Sequence, residues 1–174
     1  NVIAAAKRGA RAHGIEYNED LVDYSKRQAA KAGVADKATF EHGDVFLVDF
    51  SKATVVMLFL TPEMNRRLRP KLLNLKAGAR VVANTFAIGD WNPDQSDTIT
   101  VGCEKFCTAR LWIVTAKVAG IWSLPQGELT LRQAYQSISG SLKSADGKTP
   151  VAGRMSGAQD SFRAGKTEFT SRAD

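Results

Sequence analysis

The sequence predicts an alternating α/β fold with mostly parallel strand connections, followed by a small antiparallel β tail. Three observations predict it. Compact apolar segments at 10–16, 38–41, 53–60 and 80–86 alternate with amphipathic stretches that carry helix start and stop residues. The segment 53–60 (Ala-Thr-Val-Val-Met-Leu-Phe-Leu) is apolar almost throughout, the pattern of a strand covered by helices on both faces. Beyond Ala119, glycines at 120, 127, 140, 147, 153, 157 and 165 separate alternating stretches such as Leu129, Leu131, Gln133 and Tyr135, the texture of an antiparallel meander.

In chain order, residues 1–9 read as a helix body of compact apolar residues, with Lys7 and Arg8 in its last turn and Gly9 as its stop. Residues 10–16 form a strand ending in a carboxylate, Glu16. Asn18 then offers an N-cap, Glu19 and Asp20 suit the helix dipole, and Leu21, Val22, Ser25, Ala29 and Ala32 make an inward stripe up to Gly33. A third segment, 38–41, is a strand that runs into His42-Gly43-Asp44-Val45-Phe46. The linker before the next strand is too short for a full helix, so the crossover there is abbreviated. After strand 53–60, Thr61-Pro62-Glu63 supplies a cap, a first-turn proline and an N-terminal acid, with Met64, Leu68 and Leu72 on one helix side. Pro70 is expected to kink that helix or start a second one. Residues 80–86 give another buried strand.

From Gly89 the texture changes. Residues 98–101 and 110–118 read as two strands of an antiparallel hairpin, and the meander follows, so the expected domains are 1–118 and 119–174. At 174 residues, with 44% hydrophobic and 24% charged residues, the chain can bury a sizeable core. It holds no apolar run of membrane-spanning length and no leader pattern. Localisation stays open, with the cytoplasm as default and an upstream leader compatible with it. The net charge of +6 admits an acidic partner, but the excess is spread along the chain and nucleic-acid binding is the lesser reading. Cys103 and Cys107 stand four apart without further ligands, which leaves no metal site; free thiols are the simpler expectation and a disulfide the alternative.

The chemistry-bearing feature is Gly14-Ile15-Glu16-Tyr17-Asn18. A carboxylate at the tip of a parallel strand can accept paired hydrogen bonds from ribose hydroxyls, or it can simply be solvated. The segments 2–10, 14–16, 43–45 (Gly-Asp-Val) and 59–65 (Phe-Leu-Thr-Pro-Glu-Met-Asn) together resemble the class I S-adenosylmethionine-dependent methyltransferases. Within them the similarity is to the bacterial branch related to the mitochondrial lysine methyltransferases that act on the c-subunit of ATP synthase, and 111–122 resembles the same branch. That family's pattern has a first strand and a glycine-rich loop ahead of the opening helix, and residues 1–174 lack both. The resemblance therefore implies a Rossmann-like methyltransferase sheet, mostly parallel with a late antiparallel hairpin, without its first strand, plus a β-rich extension.

The resemblance also implies S-adenosylmethionine as cofactor. Glu16 would accept from the ribose, Tyr17 would lie against the adenine, Asp44 would accept from the adenine amine, and the Gly43 and Val45 backbone would line the ring. Leu60 and Thr61 would sit below the sulfonium. Methyl transfer needs a neutral nitrogen in line with the methyl, so Thr61, Glu63 and Asn65 are the catalytic candidates, Asp90 could also orient an amine, and Phe86 or Trp91 could hold a cationic product. The implied acceptor is an amine, a protein lysine foremost. A nucleotide-dependent oxidoreductase and a basic non-enzymatic module are the alternatives. His13, on a strand expected to be buried, and His42 read as structural. The tail could cover the site, recognise substrate or hold a homodimer.

Overall fold

The structure is a computed structural model that describes residues 1–164 and 167–172. It divides into two compact units, 1–50 and 51–174.

In the first unit, helix α1 (Val2–Lys7), strand β1 (Ala12–Glu16), helix α2 (Glu19–Lys31) and strand β2 (Ala38–His42) follow one another, and β1 pairs with β2 in parallel. Ala6, Ala29 and Ala38 form the core, with Val2, Ile3, Val34 and Phe40 against it. The small side chains matter because the helices lie close on a two-stranded sheet. Gly14 shows the tightness: a Cβ there would stand 2.8 Å from the Phe40 ring and 3.1 Å from Val2. The Asn18 side chain accepts the Asp20 and Leu21 amides, which satisfies two orphan donors at the start of α2. The inward stripe is narrower than expected. Val22 and Ala29 are buried, but Leu21 is 49% exposed.

The second unit contains strand β3 (Val55–Leu58), helix α3 (Pro62–Leu72) and strand β4 (Arg80–Asn84), a parallel crossover, then the antiparallel pair β5 (Gln95–Thr98) and β6 (Thr108–Ile113). The sheet order is β3-β4-β6-β5, with β4 and β6 antiparallel. The hairpin strand expected at 98–101 lies three residues earlier, because Asp94 and Gln95 begin the pairing with β6. Helix α3 continues through Pro70 to Leu72 and buries Asn65, Leu68 and Leu72.

Burial of strand 53–60 on both faces is not found. Leu58 is buried, but Val55, Met57 and Phe59 are 40%, 51% and 54% exposed. Alternate side chains leave opposite sides of a strand, and within this unit only one side is covered. On the open side Val55, Val82 and Leu111 line a shallow depression of about 310 Å³, rimmed by Arg80 and Asp97.

Strands β7 (Gly120–Leu124), β8 (Gly127–Ala134), β9 (Ser137–Ser144), β10 (Gly147–Ser156), β11 (Gln159–Ala164) and β12 (Thr167–Arg172) form a sequential antiparallel meander. Val118, Leu129, Leu131, Ile138, Val151 and Met155 are its core. The β8–β9 turn is docked onto the loop after β4. The Trp91 indole donates to Gln136 Oε1 at 3.0 Å, Gln136 Nε2 donates to the Asn92 carbonyl at 2.9 Å and to Asp94 at 3.1 Å, and Trp112 donates to the Trp91 carbonyl at 2.8 Å. Cys103 and Cys107 form a disulfide that closes the hairpin between β5 and β6, so the expected free thiols are replaced by the alternative.

Candidate functional site

In the first unit, Glu16 ends β1 and His42 ends β2, and the parallel register sets them opposite each other. The Gly43 amide donates to the Glu16 carbonyl at 3.0 Å, which carries the pairing one step beyond the strands. The Glu16 carboxylate accepts the Asn18 amide at 2.9 Å through one oxygen. An ionised carboxylate has acceptor sites for several further donors, so this brace orients the group without exhausting it. Asp44 accepts the Phe46 amide at 2.8 Å, and its carbonyl receives the Leu47 and Val48 amides, which folds 44–48 into a compact turn. A Cβ at Gly43 would lie 3.0 Å from the Val48 side chain, so a larger residue there would press on the turn. Val45 is half-buried in the same turn. Tyr17 is 77% exposed, its ring edge-on to His42 at 6.3 Å.

His13 is not buried. Its side chain is 47% exposed and bonds Thr39 at 2.8 Å and Glu41 at 3.0 Å, because residue 13 points to the solvent side of β1.

In the second unit, Leu60 is half-buried after β3 and Thr61 caps α3, its hydroxyl accepting the Met64 amide at 3.3 Å. Glu63 is exposed in the first turn. Asn65 is only 1% exposed, and its Nδ2 donates to the Phe86 and Ala87 carbonyls, both at 3.4 Å, while Oδ1 has no hydrogen-bond partner. It ties the start of α3 to the loop after β4. Asp90 is committed elsewhere: it pairs with Arg69 and accepts the Tyr135 hydroxyl at 3.1 Å. The Arg69 hydrogen bond, then the residue's own backbone amide and the Tyr135 hydroxyl, hold its carboxyl below the usual range. Burial, and then the bond to Asp90, push the Tyr135 phenol above its ordinary value. Trp91 is 1% exposed and packs on Trp112, so it is a core residue and not a product-binding face. Phe86 contacts Phe106, and Phe106 contacts Phe59; the sequence singles out neither Phe59 nor Phe106 as a binding residue. Among the described residues there is no cluster that could hold a metal ion, and no helix long and apolar enough to cross a membrane.

A model of the ANTKMT methyltransferase domain matches residues 1–95. The chain is 40% identical over 97 residues to a protein-lysine N-methyltransferase of Saccharolobus islandicus, covering 54% of this chain and 60% of that protein. It is 44% identical over 96 residues to the lysine N-methyltransferase of Mus musculus named for the ATP synthase c-subunit, covering 55% of this chain and 39% of the relative. The chain thus spans about half the length of these curated relatives. Among solved structures it is similar to an RNA methyltransferase from Salinibacter ruber in complex with S-adenosyl-L-homocysteine. The TM-score is 0.61 at 39% identity, with 67% of this chain and 74% of that chain covered. The mixed α/β sheets and this likeness give a Rossmann-like methyltransferase fold, and none of these comparisons favours an oxidoreductase or a non-enzymatic module.

Proposed function

The chain belongs to the ANTKMT methyltransferase domain family, within the class I S-adenosylmethionine-dependent methyltransferases, and from that membership we propose that it transfers a methyl group to a protein lysine. The observation that carries the reading is the pair of carboxylates at the carboxyl ends of two paired parallel strands: Glu16 closes β1, and Asp44 stands two residues beyond β2, next to Gly43, whose amide donates to the Glu16 main-chain carbonyl. Ligands of open α/β sheets bind outside the carboxyl ends of the strands, and vicinal ribose hydroxyls fit a carboxylate with acceptor capacity to spare.

Glu16 would hold the ribose of S-adenosylmethionine, Asp44 its adenine amine, and Tyr17, Gly43 and Val45 the rest of the adenine. Bound S-adenosylmethionine supplies an electrophilic methyl. By the family resemblance Leu60 and Thr61 would be the residues nearest the methyl donor, and Glu63, exposed in the first turn of α3, would orient the acceptor amine, which must be neutral to react. Asn65 positions this segment from beneath through its two carbonyl bonds. The finer fold reading, a methyltransferase sheet without its first strand and with residues 119–174 as a separate extension, is supported by two facts. The parallel strands fall into two separately bonded sheets, and the meander has its own core. That extension could recognise substrate, cover the site or hold a homodimer, and light scattering on the full-length protein tests the last of these.

Calorimetry with adenosylhomocysteine on the full-length protein tests the cofactor site. Two hydrogen bonds to a charged acceptor are worth about 3 kcal/mol together, so Glu16→Ala should weaken binding about 100-fold, and Asp44→Ala about tenfold. No binding, or binding indifferent to both changes, refutes the reading. A second reading, an RNA acceptor, is favoured by the substrate named for the Salinibacter ruber protein and by the net charge of +6. Radiolabelled methyl transfer offered lysine peptides and RNA side by side decides between them.

A further inference from the structure

Strand directions place three phenylalanines at one edge of the second unit. β3 is parallel to β4, and β4 and β5 are each antiparallel to β6, so β3, β4 and β5 point their carboxyl ends the same way. Phe59 follows β3, Phe86 follows β4, and Phe106 lies in the hairpin that leaves β5. Their rings meet there: Phe59 and Phe106 edge to face at 5.2 Å between centroids, Phe86 and Phe106 at 6.0 Å. Phe59 and Phe106 remain 54% and 49% exposed.

The backbone invests in this arrangement. Among the described residues only Thr85, Phe106 and Tyr135 are non-glycine residues at positive φ, and the first two belong to this edge, at 62° and 60°. Such conformations persist where surrounding bonds over-determine them, and they concentrate at ligand sites. Thr85 is pinned in this way. Its amide donates to the Thr108 carbonyl at 2.6 Å, its hydroxyl to Asn84 at 2.9 Å, and its carbonyl accepts from Arg110 at 3.0 Å. The next amide, that of Phe86, donates back to the Asn84 carbonyl at 2.7 Å, which fixes where that ring departs. Phe106 is held between the two disulfide-bonded cysteines.

We propose that Phe59, Phe86 and Phe106 form an aromatic seat for the alkylammonium head of the acceptor lysine and its methylated products, an inference that rests on the methyltransferase reading above. Aromatic faces attract cations through their quadrupole, and a methylated ammonium, weakly hydrated, loses little on leaving water. A seat of this kind holds the charged forms that precede and follow the neutral amine, and keeps a partly methylated side chain at the carboxyl edge. A cluster that merely filled space would accept any apolar group of the same size.

That difference is the test. The full-length protein is titrated by nuclear magnetic resonance with acetyl-trimethyllysine methylamide, and with its neutral analogue carrying carbon in place of the charged nitrogen. The cation should bind about tenfold tighter than the analogue, and Phe59→Leu and Phe106→Leu, which keep apolar bulk without the ring face, should each weaken it about fivefold. Adenosylhomocysteine affinity should stay unchanged in both variants, and a wild-type circular dichroism spectrum and thermal midpoint show that the second unit folds. Equal affinity for cation and analogue, or full cation affinity in both leucine variants, overturns the seat. If the wild type fails to bind adenosylhomocysteine, the methyltransferase reading falls, whereas the cation preference is still read independently.

Discussion

Replacing Gln136 by alanine should destabilise the second unit by about 3 kcal/mol. The side chain is 4% exposed and accepts the indole N–H of Trp91, itself 1% exposed. Removing it strands that donor away from water at a cost of about 1–3 kcal/mol, and the lost side-chain volume adds about 1 kcal/mol. The other two bonds count for less. Asn92 is exposed, so its carbonyl can turn to water, and Asp94 keeps the Ile113 amide and Arg154 as partners. With a urea slope of about 2 kcal/mol per molar, the midpoint followed by circular dichroism should fall by about 1.5 M. A double-mutant cycle with Trp91→Phe isolates the indole bond: once the donor is gone, Gln136→Ala should cost about 1–2 kcal/mol less. A shift below about 0.3 M, or strict additivity in the cycle, refutes the argument that this turn is anchored by the buried indole.

Three further outcomes are expected. Tyr135 should titrate above an ordinary tyrosine. Its contribution is present below the unfolded value of about 10 and is lost as pH rises through the higher folded value. Asp90, lowered, contributes above its unfolded value of about 3.9 and loses that contribution as pH falls through the lower folded value. Asp90→Asn should bring the phenolate absorbance midpoint down only in part, because burial is the larger cause, and an unmoved midpoint would contradict the bond. Asn18→Ala should cost about 1 kcal/mol through the lost cap of α2, with Asn18→Asp near neutral, measured by thermal denaturation. Gly140→Ala should cost about 3 kcal/mol, since its Cβ would stand 1.9 Å from the Thr130 carbonyl oxygen across the β8–β9 pair; expression of a meander of wild-type stability would contradict that packing.

The order of elements through β4 is legible because its signals are local. Caps at Asn18 and Thr61, stops at Gly9 and Gly33, and alternation in the tail depend only on neighbours in sequence. The features that mislead depend on partners distant in sequence. An apolar run such as 53–60 reads the same whether one face or two are covered, so the exposure of Met57 and Phe59 is invisible without the count of covering helices. Trp91 follows a strand and therefore resembles a site residue, yet Gln136, 45 residues on, makes it core. Glu16 and Asp44 are legible as strand-end carboxylates. Phe106 is not, because a lone aromatic in a hairpin has no pattern, and only the shared direction of three strands gathers it with Phe59 and Phe86.

The sheet order also ranks how readily the parts of this edge come loose. Among the described strands β4 is flanked by β3 and β6, and β6 by β4 and β5, while β5 carries the disulfide-closed hairpin tip. Amide hydrogens on the interior pair β4 and β6 should exchange last, and those of the hairpin tip first, because opening the tip breaks fewer ladders. Phe86 therefore follows a slow-opening strand, with Phe106 on the faster hairpin tip. Such an edge can admit a long side chain by brief fraying of the hairpin while the Phe86 ring keeps its place.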